Sequence, residues 1–169
     1  MGWRGFFLLI ALALPLGGAG DGRLDRATLR GVKAMNIVID PVAPDVEKQG
    51  ARADALRSRL EERLKAEAMP LDQDALDFVG LRLTSVRSPK SRVGGSDAFA
   101  IAMTIAFYQR VALVRDPDVK TVTQTWEVET LVLADTKQVT RACLDSVDEL
   151  AARFVAAYRS ANSTANDAK

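Results

Sequence analysis

Two groups of carboxylates carry most of the chemistry this sequence offers. Asp72, Asp74 and Asp77 crowd one short stretch, and Asp145, Asp148 and Glu149 crowd another. Paired carboxylates divide acid and base roles when their surroundings push their pKa values apart, which is how hydrolases of glycosidic bonds use them. The first group lacks the glycine and the spacing of a calcium loop. The second falls where a helix could begin, and acidic side chains at a helix N-terminus are favoured by its dipole without any catalytic role.

Other designs are excluded by composition. The 169 residues include no histidine, which removes Ser-His-Asp and Cys-His nucleophilic sites and histidine-ligated zinc or haem. One cysteine, Cys143, cannot build a thiolate metal cluster or an internal disulfide. Its spacing with Val147, Leu150 and Phe154 places it on the apolar stripe of a helix, as a small buried hydrophobe rather than a bridge between chains. No GxGxxG or GxxxxGK(S/T) stretch occurs, and Gly94-Gly95 alone does not make a phosphate loop. The expectation is therefore no catalytic residue, no cofactor and no metal ligand. Arg87, Lys90 and Arg92 lie in a Pro-, Gly- and Ser-rich loop running to Ser96. That loop either holds an anionic group or a partner, or is a solvated connection.

The elements that would position these residues follow from periodicity. With 48% hydrophobic and 27% charged residues, the chain is expected to form one globular domain. Met1 to Arg4 reads as a positive n-region, Phe6 to Leu16 as an apolar h-region too short to span a bilayer, and Gly17 to Gly20 as a cleavage region. Residues 1–20 are thus expected to be a signal peptide cut near Ala19 or Gly20. Residues 21–28 would form a flexible segment, 29–161 the domain, and 162–169 a disordered tail. No cysteine follows the h-region, so a lipid anchor is not expected, and the product would be periplasmic or secreted. Arg4 is the sole charged residue of the first twenty, so cleavage leaves 22 charges of each sign. A neutral chain is a poor binder of nucleic acid or anionic membrane.

The long stretch from Ala98 to Ala134 reads as a hairpin. Phe99, Ile101, Met103, Ile105, Phe107, Val111 and Leu113 alternate with small or polar residues, which is the period of a strand. In the returning strand Val122, Trp126, Val128 and Val132 hold the bulky parity, and the odd positions from Thr121 to Glu129 form a wet face. With Asp116-Pro117 at the tip, facing residues sum to 233, so that Phe107 meets Trp126, Ile105 meets Val128, Ile101 meets Val132 and Val111 meets Val122. Lys33 to Asp40 forms an earlier strand, ended by Pro41 and Pro44. Phe78 to Val86 forms another, in which Gly80 marks a bulge.

Leu56, Leu60 and Leu64 recur every four residues within an amphipathic helix over 51–68, whose charged residues form a solvated face. Pro70 stops it. Val139, Cys143, Val147, Leu150, Phe154 and Tyr158 mark a second helix, capped either by Thr140 or by a capping box at Ser146 to Glu149. The fold class is α+β: a two-layer sandwich of order β-α-β-β-β-α, with two helices on one face of a four-stranded, mostly antiparallel sheet. If the first two strands are parallel, their connection is a right-handed crossover.

Pro41 ending the first strand, a glycine before the first helix, the Thr125-Trp126 pair in a late strand, and the series Val147, Leu150, Phe154, Tyr158, Asn162 resemble a group of small uncharacterised bacterial envelope proteins. The element order resembles the lipopolysaccharide-assembly and transporter-auxiliary lipoprotein families. That resemblance implies a partner-binding role at the envelope, without the acylated cysteine of those families, and carries over no functional residue.

The favoured function is a non-enzymatic exported binding, envelope-assembly or transport-auxiliary module. It would work through the sheet edge, through the Arg87 to Ser96 loop, or through the small face that includes Ala98, Ala100, Ala102 and Ala106. Its partner would be an envelope protein or a second copy of the chain. A carboxylate-based hydrolase needs two facing carboxylates in a cleft. A carrier of a small apolar ligand needs a cavity between the helices and Phe99, Phe107 or Trp126.

Overall fold

A computed structural model describes residues 20–88 and 97–163. The elements are α1 (Arg23–Ala27), β1 (Asn36–Ile39), α2 (Pro44–Glu47), α3 (Ala53–Ala66), β2 (Phe78–Ser88), β3 (Ala98–Leu113), β4 (Asp116–Asp135) and α4 (Val139–Ser163). The sheet has the order β1-β2-β3-β4. β1 and β2 run parallel, joined through α2 and α3, and the remaining pairs are antiparallel. The α+β class and the expected element order are both present, with two short helices added.

Alternation decides which side of the sheet is covered. Phe99, Ile101, Met103, Ile105 and Phe107 of β3 share one core with Val79, Leu81 and Leu83 of β2, with Trp126 and Val128 of β4, and with the stripes of both long helices. Leu56, Leu60 and Leu64 supply the stripe of α3. Val139, Cys143, Val147, Leu150 and Phe154 supply that of α4, each fully buried. The ring of Phe154 lies 6.1 Å from Phe107 and 5.2 Å from Trp126. Over the opposite face, made by the even residues of β3, no helix lies among the described residues.

The hairpin register holds from Ala98↔Asp135 to Phe107↔Trp126 and then shifts. Thr125 is the extra residue of β4, a bulge that lets Tyr108 pair with Gln124 and Val111 with Thr121, not Val122. The Thr125 hydroxyl accepts the Gln109 amide N–H at 2.8 Å. Beyond the bulge the parity of β4 reverses, and Val122 is exposed. The tip also differs from expectation: Val114-Arg115 make the turn, and Asp116-Pro117 open β4. Pro117 falls in a second register irregularity, between Asp116↔Leu113 and Lys120↔Ala112, where it opposes no residue of β3 and so costs the sheet no ladder bond. Gly80 lies in unbroken register opposite Ala106 and marks no bulge.

Polar ends fix the chain where sequence periodicity was silent. The segment after Gly20, expected to be flexible, contains α1 and is tied to β4. The Gly20 carbonyl accepts the Glu127 N–H at 3.1 Å, and Asp21 accepts the Trp126 indole N–H at 2.8 Å. α3 ends before Pro70, because Ala68 takes a positive φ of 54° while the Met69 N–H reaches back to Leu64 O at 3.0 Å. α4 begins at Val139 after a turn in which Asp135 accepts the N–H groups of Lys137 and Gln138. Neither expected cap starts it, since the Thr140 hydroxyl donates instead to Gln49 O.

Asn162 belongs to α4, not to a tail. Its side chain accepts the Gly31 N–H at 2.9 Å and donates to Leu29 O at 3.1 Å. Tyr158 donates to Val32 O at 2.8 Å. The Tyr158/Asn162 pair therefore latches the turn that leads into β1. Residues 164–169, the rest of the expected tail, lie outside the described residues, as does the expected signal peptide up to Ala19.

Candidate functional site

The two carboxylate groups sit on different elements, one inside α4 and the other in the connection between α3 and β2. Asp145, Asp148 and Glu149 sit inside α4, and each is engaged by arginine. Asp145 meets Arg141 at 3.6 Å and Glu149 meets Arg153 at 3.8 Å. Asp148 receives both Arg59 and Arg63 of α3, at 2.7 Å and 2.5 Å. The two guanidinium groups, Arg63 foremost, hold its carboxyl down at about 2. The charged residues of α3 are thus only partly the solvated face expected of them, since Arg57 also donates to Ile37 O at 2.7 Å on the free edge of β1.

In the other group, Asp72 accepts the Asp74 N–H and Asp77 accepts the Arg110 N–H, both bonds that shape loops. Asp72 also lines a cleft of about 200 Å³ with Arg57, Glu61 and Lys65. Glu61 in that cleft is paired to Lys65 at 2.6 Å. No group of metal-ligating side chains occurs among the described residues.

The space a small apolar ligand would need between the layers is filled, because Phe99, Phe107 and Trp126 pack directly against the core and are buried. Cys143 is buried on its stripe as expected, and burial pushes its thiol up to about 11.

The expected binding residues fall on two different surfaces. Arg87, near the end of β2, pairs with Phe99 in the sheet and therefore belongs to the helix side. Its guanidinium is bonded to Asp97. Lys90 and Arg92 lie outside the described residues. Ala100 and Ala102 are half-buried on the uncovered face. They do not form an edge, because β3 is flanked by β2 and β4 along its length. A partner strand cannot pair there. A surface can pack on it.

That uncovered face has two parts. Around Gly80, the ring of Tyr108 stacks on Phe78 with centroids 4.8 Å apart. Arg82 donates to the Tyr108 oxygen at 3.0 Å and lies 3.4 Å from Asp40. Together with Val38 and Ala106 these residues line a cleft of about 230 Å³. Towards the other end, Ala100 sits between Val86 and Leu133, and Ala102 between Thr84 and Leu131. Val86, Leu131 and Leu133 are 71%, 67% and 80% exposed, so large aliphatic side chains stand around a floor of alanine.

Sequence reasoning missed these three side chains. The odd positions of β4 are polar from Thr121 to Glu129, and the change in character comes only after them. Leu131-Val132-Leu133-Ala134 is apolar at both parities, and that loss of alternation is the signal of a strand with two apolar faces.

No protein-family model matches this chain, and no curated protein does. Among solved structures, a minor lipoprotein from Acinetobacter baumannii aligns with 15% identity and a TM-score of 0.37, over 73% of this chain and 88% of that one. A proposed homologue of the neuraminyllactose-binding hemagglutinin from Helicobacter pylori aligns with 10% identity and a TM-score of 0.29, over 75% and 86%. What this chain does is therefore read from its own surfaces.

Proposed function

We propose that the chain is a non-enzymatic binding module exported to the cell envelope, an assembly or transport-auxiliary component that works through the uncovered face of its sheet. The observation that carries this reading is the group of exposed side chains Val86, Leu131 and Leu133 around Ala100 and Ala102. Leaving a contiguous aliphatic surface on a sheet in water costs free energy, and such a surface is usually an interaction site. Export is supported by the pattern of residues 1–20. Among the described residues no helix is long and apolar enough to cross a membrane. Cleavage after Ala19 or Gly20 leaves Asp21 in the product, and with it the bond to Trp126.

The test pairs a surface change with a carboxylate change. A100D and A102D, each confirmed to fold by circular dichroism, should abolish association of the protein with its envelope partner. D72N should leave that association intact. Loss of a measurable hydrolysis in D72N, with association unaffected by A100D and A102D, would show the reading to be wrong. Mass spectrometry of the protein from its native cells should find a start at Gly20 or Asp21.

A further inference from the structure

The strand register sets out the uncovered face in rows across the sheet. Val86, Ala100 and Leu133 form one row. Thr84, Ala102 and Leu131 form the next, and Arg82, Thr104 and Glu129 form a third. Every row has a small residue at its centre on β3, and its two flanks differ. On the β2 side stand Val86, Thr84 and Arg82; on the β4 side stand Leu133, Leu131 and Glu129.

Such a face is complementary to itself under one particular operation. A two-fold axis running along β3, between two sheets laid face to face, places β4 of one copy over β2 of the other with the rows in step. Leu133 of one copy then meets Val86 of the other, and Leu131 meets Thr84. Glu129, which accepts the Thr104 hydroxyl at 3.3 Å, meets Arg82, which already donates to Tyr108 and lies 3.4 Å from Asp40, so the opposite charge joins an existing exposed pair, and every one of these contacts occurs twice. The small residues Ala100, Ala102 and Thr104 lie under the axis, where the two sheets come closest.

The other two-fold within the plane, across the strands at Ala102, sets Glu129 on Leu133 and Arg82 on Val86. Burying a charge against an aliphatic side chain is unfavourable. Of these two axes through Ala102, the sequence of flanks favours the one along β3. Resting on the reading of this face as the binding surface, we infer that its occupant is a second copy of the chain, in a two-fold β-sandwich dimer centred on Ala102. Aligned sheets cross at about 30°, so the match is closest near that centre and is lost towards the Tyr108 end.

Strands about 4.8 Å apart and alternate residues about 7 Å apart give the matched rows a footprint of only a few hundred Å² on each copy, below the roughly 1,000 Å² in total that a stable specific interface buries. The dimer is accordingly weak and concentration-dependent. Opposite charges on the two sides of the axis also steer the copies into register as they meet.

Sedimentation velocity over a concentration series of the protein purified from its native cells should show monomer passing to dimer. R82E and E129R each bring like charges together across the axis and should raise the transition concentration by roughly tenfold or more, whereas R82E/E129R together should return it towards that of the parent. A second measurement does not depend on those variants folding. A102C should crosslink to a dimer with a short bis-maleimide, and the parent, whose sole thiol is the buried Cys143, should not. A dimer that ignores both single charge changes and leaves A102C uncrosslinked overturns the inference. If the chain is monomeric throughout while A102D abolishes its association with a different envelope protein, the second copy is wrong and the binding reading stands. If it is monomeric and no association responds to A102D, both fall.

Discussion

Asp21 accepts the indole N–H of Trp126 at 2.8 Å while two nitrogens of Arg26 donate to the same carboxylate at 2.7 Å. Trp126 is the largest fully buried side chain of the core. Its indole nitrogen thus finds its partner in the segment just after Gly20, which closes the β4 side of the domain. Removing the carboxylate strands a buried donor, so D21A should cost about 1–3 kcal/mol. D21N keeps an acceptor for the indole and should cost less. Urea unfolding followed by tryptophan fluorescence checks both, and equal costs for the two variants would show that the indole bond contributes nothing. The arginine bond, ahead of the indole, lowers the carboxyl below its ordinary value. Its contribution is therefore complete above the pKa of the unfolded chain and fades as pH falls.

Asp148 links the two long helices by receiving Arg59 and Arg63, which stand one turn apart on α3. Its carboxyl, held at about 2 against an ordinary 3.8, binds fewer protons folded than unfolded. Stability from this link is fully present above about pH 4 and is lost as pH falls towards 2. D148N should flatten the acid limb of stability against pH between those values and change it little at neutral pH beyond a constant offset. Thermal melts of parent and variant from pH 2 to 7 make the comparison. Parallel curves over the acid range would exclude Asp148 as the titrating group. High salt should narrow the difference, since the arginines are partly exposed.

Ala68 occupies the left-handed position one residue beyond the C-cap of α3, with φ of 54°. A Cβ is strained there and glycine is not. A68G should stabilise the protein by about 1 kcal/mol, measured by urea unfolding. A loss of stability would mean that the left-handed turn is not the resting conformation of this helix end.

The sequence made the hairpin legible because its two faces differ from Phe99 to Phe107, where every second residue is bulky. It concealed the bulge at Thr125 because Thr121, Thr123, Gln124 and Thr125 are polar at both parities, so a one-residue shift leaves no hydrophobic mark. α1 and α2, five and four residues long, are shorter than any window in which a helical period can be recognised. The exposed leucines of β4 were visible as letters. Their meaning depends on which face the helices leave open, and only the sheet order supplies that. The same holds for Arg59 and Arg63, whose spacing suits a solvated helix face until α4 brings Asp148 against them.

Gly80 and Tyr108 form the remaining relationship open to a direct test. A Cβ built on Gly80 would stand 2.8 Å from Cε2 of the Tyr108 ring, with Phe78 at 3.8 Å. Glycine is needed here for close approach, since Gly80 pairs in regular register and takes no left-handed φ. The tyrosine ring lies over the bare backbone and makes up for the missing side chain, as aromatic neighbours do for glycines in sheets. G80A gains strand propensity, yet must push the ring aside, breaking its stack on Phe78 and its bonds to Arg82 and Gln124. Because the ring is half exposed and can swing outward, the expected cost is modest, about 1 kcal/mol. In Y108A the ring is already gone, so adding G80A to it should be neutral or stabilising. A double-mutant cycle by urea unfolding reads the coupling directly. Additive costs for G80A and Y108A would show that the ring and the glycine do not depend on one another.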